Sequence, residues 1–267
     1  MKHTIELKDR YRMEELLEIM AFLRSDQGCP WDRVQTHESI RKNLLEEAYE
    51  VAEAIDDQDP TALREELGDL LMQVVFHAQM GSEANTFCFD DVVTGICRKL
   101  ITRHSHLFGE DTADTPEAVL VNWEKNKQKE KAAKNYESLL DDVPKTLPAL
   151  TRSCKIQQKA SRVGFDWPDP SGALAKVHEE LAEIEDSLGQ DDAGKIEEEV
   201  GDLLFAVVNY ARLLHVDPET ALARSARKFT RRFKHIEKMA ADQGGGLEGR
   251  SLAQMDELWD DAKRQGL

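Results

Sequence analysis

Residues Leu44-Leu45-Glu46-Glu47-Ala48-Tyr49-Glu50-Val51-Ala52-Glu53-Ala54-Ile55 hold two patterns on one segment. Leu44, Leu45, Ala48, Val51, Ala52 and Ile55 recur every three or four residues, the spacing that gathers apolar side chains on one side of a helix. Glu46, Glu47 and Glu50 fall within an arc of about 100° on that helix. Asp56-Asp57-Gln58-Asp59-Pro60 stops it. A second helical pattern then runs over residues 61–80, with Asp59 or Thr61 as its cap and Pro60 suited to a first turn. This second helix carries Glu65-Glu66-Leu67-Gly68-Asp69-Leu70-Leu71, which places Glu66 and Asp69 about 60° apart. A break this short lets the two helices pack antiparallel and brings their acidic faces together.

The same arrangement returns 133 residues later. Glu46, Glu47 and Glu50 fall on Glu179, Glu180 and Glu183, and Glu66, Gly68 and Asp69 fall on Glu199, Gly201 and Asp202. The apolar run repeats as well, with Leu70, Leu71, Val74, Val75 and Ala78 on Leu203, Leu204, Val207, Val208 and Ala211. Repetition at a fixed period marks a tandem duplication. The prolines of Asp141-Asp142-Val143-Pro144-Lys145-Thr146-Leu147-Pro148 interrupt helical patterning between the halves. The expected organisation is therefore a domain over 1–140, a linker over 141–148 and a domain over 149–267. Other helical patterns cover 13–23, 89–104, 150–162, 172–187, 193–214 and 218–242, while Ser25 to Asp32 reads as a loop. No segment sustains a period of two, so the fold class is all-α, two bundles of roughly four helices each.

Composition agrees. Of 267 residues 40% are hydrophobic, enough for a packed core, whereas 15 Gly, 8 Pro and 6% aromatics suit helices better than a turn-rich β fold. The 52 acidic against 35 basic residues give a formal charge of −17, which opposes binding to nucleic-acid polymers and anionic membranes. The charged start lacks an apolar signal core, no apolar run spans a membrane, and four scattered cysteines form no C-x-x-C pair. A cytoplasmic protein with reduced thiols is expected.

Four or five carboxylates meeting across a helix pair need protonation, cationic side chains or metal to relieve their repulsion. Oxygen-only donors select hard cations, Mg²⁺ first and Mn²⁺ as a substitute. Glycine inside a helix costs about 1 kcal/mol against alanine, so Gly68 and Gly201 are expected to lie close to a partner helix or the metal. Basic residues follow the acids in both halves: Lys99 and Arg103 in the first, Lys228 and Arg232 in the second. A Trp–Lys pair at i, i+4 comes next, Trp123 with Lys127 and Trp259 with Lys263. Cations sharing a helix face suit phosphate oxygens and an indole suits stacking on a base. His104 and His106 read as surface or phosphate contacts.

With these pieces in place the chain resembles the MazG nucleotide pyrophosphohydrolases of the all-α NTP pyrophosphatase superfamily. The resemblance rests on Gly28-Cys29-Pro30-Trp31-Asp32, Gln35-Thr36-His37, Leu45-Glu46-Glu47-Ala48-Tyr49-Glu50, Glu65-Glu66-Leu67-Gly68-Asp69-Leu70-Leu71, Arg103-His104-Ser105-His106-Leu107-Phe108, Gly164-Phe165-Asp166-Trp167 and Glu198-Glu199-Val200-Gly201-Asp202-Leu203-Leu204. It implies a homodimer that hydrolyses nucleoside triphosphates to monophosphate and pyrophosphate with Mg²⁺. Carried over by motif, it implies metal ligands Glu180, Glu183, Glu199 and Asp202, matched in the first half by Glu46, Glu47, Glu50, Glu66 and Asp69. It implies nucleotide contacts from Lys195, Lys228, Arg232, Trp259 and Lys263, matched by Lys99, Arg103, Trp123 and Lys127. Glu179 or Glu198 is the expected proton acceptor, with Glu199 also in the catalytic set. Lys195 falls on Ala62, with Arg64 nearby as the alternative cation, and the second half is expected to be the main catalytic site.

Rival signatures are missing. There is no His-Asp dipeptide, no Walker A sequence, no Nudix Gly and Arg upstream of Glu65, and no Glu-x-x-His of a di-iron bundle. The alternative from another class is a non-catalytic duplicated helical protein that binds metal or a protein partner.

Overall fold

The computed structural model describes residues 7–132, 137–188 and 192–267. These residues form twelve helices and no strand. The all-α expectation holds, and none of the helices is long and apolar enough to cross a membrane. The chain divides into two compact units, 1–133 and 134–267.

The first unit contains α1 (Met13–Arg24), α2 (Pro30–Arg33), α3 (Arg41–Asp56), α4 (Pro60–Glu83), α5 (Phe89–Arg103), α6 (Ser105–Phe108) and α7 (Pro116–Ala132). Its centre is Met20, Ile40, Val75, Phe76 and Met80, with Leu16, Leu17, Leu71 and Phe89 packed against them. The Asp59 carboxylate accepts from the amides of Thr61 and Ala62 at 2.8 and 3.1 Å, and Pro60 supplies the first residue of α4. That cap fixes where α4 starts, and so where Glu66 and Asp69 emerge relative to α3.

The second unit contains α8 (Ala149–Ser161), α9 (Pro170–Leu188), α10 (Ala193–Leu213), α11 (Pro218–Asp242) and α12 (Leu252–Arg264). Asp192 stands 133 residues after Asp59 and repeats its role, accepting from the amides of Gly194 and Lys195 at 3.1 Å each. A smaller cluster of Ile236, Ala240 and Leu258 joins α11 to α12, with Met239 and Trp259 against it. Within the stretch 141–148, Val143 is buried and Asp142 forms an ion pair with Lys159 of α8.

An arginine pins the chain ahead of the first acid helix in each unit. In the first, Arg24 donates to the carbonyls of Asp32 and Gln35 at 2.5 and 3.2 Å and pairs with Glu83 at 2.7 Å. In the second, Arg212 of α10 grips Asp166, one contact measuring 3.0 Å, and also Asn209. The stretch Ser25 to Asp32, expected to be loop, contains α2, nucleated by Pro30 at its first position. Gly28 turns so tightly there that a Cβ would stand 2.2 Å from the carbonyl oxygen of Phe22. Farther along, the ring of His37 stacks on His77 of α4 with centroids 5.0 Å apart.

Candidate functional site

In each unit the acids lie on one helical hairpin. Among the described residues α3 packs only on α4, and α9 only on α10. One carboxylate oxygen from each of Glu47, Glu66 and Asp69 lies within 4.8 Å of the others. Glu180, Glu199 and Asp202, the residues 133 positions later, converge in the same way. Glu50 lies close enough to Glu47 and Glu66 for its charge to act on both, and Glu183 stands in the same relation to Glu199 and Glu180, so four carboxylates meet in each unit.

Such crowding disfavours ionisation. Burial first, then the charges of Asp69 and Glu50, holds Glu47 above the usual carboxylate range. Burial, Glu50 and Asp69 do the same to Glu66. In the second unit a hydrogen bond with Glu199, followed by burial and the charges of Glu199 and Glu180, raises Glu183. These shifts mark a place where added positive charge is stabilised. Three or four convergent oxygens, with no nitrogen or sulfur among them, make a donor set for a hard divalent cation.

The other expected residues lie around this centre. Glu46 and Glu198 are exposed and outside the converging set. Glu179 is exposed and accepts from Lys176 Nζ at 2.8 Å. Lys195 sits in the first turn of α10, four residues before Glu199. Lys99 and Lys228 are exposed. The guanidinium of Arg103 lies 5.4 Å over the Trp123 ring, and that of Arg232 lies 5.6 Å over Trp259. Arg232 also donates to the Leu267 carbonyl at 2.7 Å. Lys127 pairs with Glu124 at 3.7 Å and Lys263 with Asp260 at 2.9 Å. The cation–indole pairs are therefore repeated, but on α5–α7 and α11–α12, which neither α3 nor α9 touches. His104 meets Trp123 edge-on at 4.9 Å and bonds the Leu100 carbonyl, while Nδ1 of His106 is buried without a hydrogen bond among the described residues.

Two readings change. A Cβ at Gly68 or Gly201 would have nothing within 4 Å among the described residues. These glycines face open space, not a crowded helix of their own unit. The second change is an addition. Lys176 Nζ stands 2.6 Å from Glu180, which is almost fully buried, and the two hydrogen bonds to Glu179 and Glu180 raise the lysine further above its ordinary value. The signal was legible in retrospect as a lysine one helical turn before Glu180, the i, i+4 spacing.

Comparison with known proteins places both centres in recognised segments. The family model described as the MazG nucleotide pyrophosphohydrolase domain matches residues 35–108 and 169–237. The nucleoside triphosphate pyrophosphohydrolase/pyrophosphatase MazG of Thermotoga maritima is 46% identical over 250 residues, 94% of this chain and 95% of that protein. The nucleoside triphosphate pyrophosphohydrolase of Escherichia coli K12 is 46% identical over 257 residues, 95% and 98% of the two chains. YabN of Bacillus subtilis is 46% identical over 246 residues, 92% of this chain but 50% of that protein. Both carboxylate clusters fall inside the matched segments, whereas Trp123 and Trp259 fall outside them.

Proposed function

Because the chain belongs to the MazG nucleotide pyrophosphohydrolase family, we propose that it hydrolyses ribo- or deoxynucleoside triphosphates to the monophosphate and pyrophosphate, with Mg²⁺ at its carboxylate clusters. The observation that carries this reading is the convergence of equivalent carboxylates in both units, Glu47 with Glu66 and Asp69, and Glu180 with Glu199 and Asp202. The all-oxygen donor set suits Mg²⁺, and the raised Glu47, Glu66 and Glu183 carboxyls are relieved by it. When bound, the ion neutralises triphosphate charge and lowers the pKa of a coordinated water.

The protein's own groups supply the rest. Glu47, Glu50, Glu66 and Asp69, and Glu180, Glu183, Glu199 and Asp202, are the proposed metal ligands. Glu179 and Glu198, exposed beside the second cluster, are the groups able to accept a proton from an attacking water. Lys195, Lys228, Arg232 and Lys263 offer charge to the phosphates, and Trp259 offers a ring face to the base. The second unit is the main catalytic site in this reading, since Ala62 stands where Lys195 provides a cation.

A homodimer, in the cytoplasm, completes the proposal. Leu45, Tyr49 and Leu67 in the first hairpin, and Leu181, Leu204 and Phe205 in the second, are all more than 40% exposed. Exposed apolar side chains on the site hairpins suit burial against a second copy. The open space at Gly68 and Gly201 suits a close approach there.

The deciding experiment mixes the protein with nucleoside triphosphates and Mg²⁺ and analyses products. Monophosphate and pyrophosphate in equal amounts are expected. Diphosphate with inorganic phosphate, or no turnover, overturns the proposal.

A further inference from the structure

The two carboxylate clusters differ in one respect that bears on how they fill. In the second unit Lys176 Nζ stands 2.8 Å from Glu179 and 2.6 Å from Glu180. The residue at the corresponding place in the first unit is Asn43, which has no charge. One cluster is thus four carboxylates without an ammonium at this place. The other is four carboxylates with an ammonium already bonded to one of them.

Resting on the reading that these carboxylates hold a divalent cation, we propose that Lys176 is a built-in counter-ion of the second cluster. It occupies part of the electrostatic place of the metal and so makes the two clusters load unequally. The Glu180 side chain is 5% exposed, so it cannot turn to solvent to shed the lysine and remain a ligand. The lysine, 41% exposed, can. A metal ion approaching Glu180 meets the ammonium at hydrogen-bond distance from the same carboxylate, and the two cations repel. Metal binding therefore includes the cost of moving Lys176 outward. No such cost applies where Asn43 stands.

Free divalent cation accordingly fills the first cluster at lower concentration than the second. The second cluster takes its metal most readily when a triphosphate arrives with it, because the phosphate oxygens give the displaced ammonium a new anionic neighbour. Lys176 is in this sense a positioning residue for the metal, which ties occupancy of the principal site to the presence of substrate.

The test uses Mn²⁺ alone, with bound and free ion resolved by electron paramagnetic resonance, on the full chain. Glu66→Gln with Asp69→Asn silences the first cluster. In that background Lys176→Asn, the residue of the first unit, is expected to tighten Mn²⁺ binding about tenfold, a gain held down by solvent screening. Lys176→Met, which keeps the aliphatic stem, is expected to match it, and Lys176→Arg to leave the affinity near that of the parent. Asn43→Lys, in a Glu199→Gln, Asp202→Asn background, is expected to weaken binding by a similar factor. Unchanged affinities in Lys176→Asn and Lys176→Met, with helical circular dichroism intact, overturn the counter-ion role and leave the metal reading standing. Absence of bound Mn²⁺ in the otherwise unaltered chain and every variant overturns the metal reading itself, and the proposal with it.

Discussion

The two units keep the same acids and differ in the cations beside them. Glu47, Glu66 and Asp69 converge as Glu180, Glu199 and Asp202 do. One turn before Glu180 and one turn before Glu199 the second unit has Lys176 and Lys195, where the first has Asn43 and Ala62. Geometry fit for a metal is thus the same in both units, while the residue one turn before each of these two acids is neutral in the first and cationic in the second. Carboxylate convergence depends on caps, helix lengths and a short turn, all of which must stay in register. A surface lysine on a helix is free to vary without disturbing any of them. A duplicated fold can therefore retain two metal-competent centres and concentrate phosphate chemistry in one.

The largest effect expected follows from this division. Glu199→Gln or Asp202→Asn should lower pyrophosphate release at least a hundredfold while the thermal midpoint stays close to the parent. Glu66→Gln or Asp69→Asn should leave more than half of the activity. Equal losses in both units would dissolve the contrast. Next in size, Lys195→Ala should reduce kcat/KM by about tenfold to a hundredfold, through loss of a cation that meets developing phosphate charge. Steady-state kinetics with a single triphosphate would read it, and an unchanged value would remove Lys195 from the site.

Smaller effects concern stability. Arg24→Met breaks its ion pair with Glu83 and two carbonyl contacts, at about 1–3 kcal/mol, because the guanidinium is nearly buried. Hydrogen exchange should then accelerate over residues 25–40 and stay unchanged in the second unit. Arg212→Met should do the reverse, accelerating residues 162–169. The smallest effect is pH-dependent. The folded-state pKa of Glu66 lies above its ordinary value of 4.5. Its ionisation therefore opposes folding, and stability falls as pH rises from 4.5 through the raised value. Metal-free Glu66→Gln should melt slightly higher than the parent at pH 7. That gain should shrink on acidification and vanish below 4.5, which a series of thermal melts would follow.

Much of this was legible in the residues. Apolar spacing locates the helices that build the core, and the 133-residue repeat marks both acid hairpins. Asp59 was readable as a cap because an acid before a proline suits the start of a helix. The helix α2 was not, since four residues carry no periodicity and Pro30 reads equally well as a loop residue. The open surroundings of Gly68 and Gly201 within their own units were not legible, because a sequence says that a side chain is missing, not what fills the space. Lys176 was passed over for a related reason: of many lysines one turn from an acid, only the packing of α9 on α10 makes its acid a buried one. The Lys–Arg and Trp–Lys spacings were legible along each helix, but the stacking of Arg103 over Trp123 and of Arg232 over Trp259 joins different helices, a tertiary contact that spacing along the chain does not encode.

The arginines that pin the loop before each acid helix have a consequence for anyone who would recombine the halves. Arg24 ends the opening helix of its unit, whereas Arg212 belongs to the second acid helix of the other. A hybrid joining α1 to α9 and α10 would contain both guanidinium groups and compress two cations around one loop. The opposite hybrid, α8 joined to α3 and α4, would contain neither. Each half has solved the same anchoring problem from a different element. The parts are interchangeable in outline but not in wiring, and the unit of inheritance is the whole half.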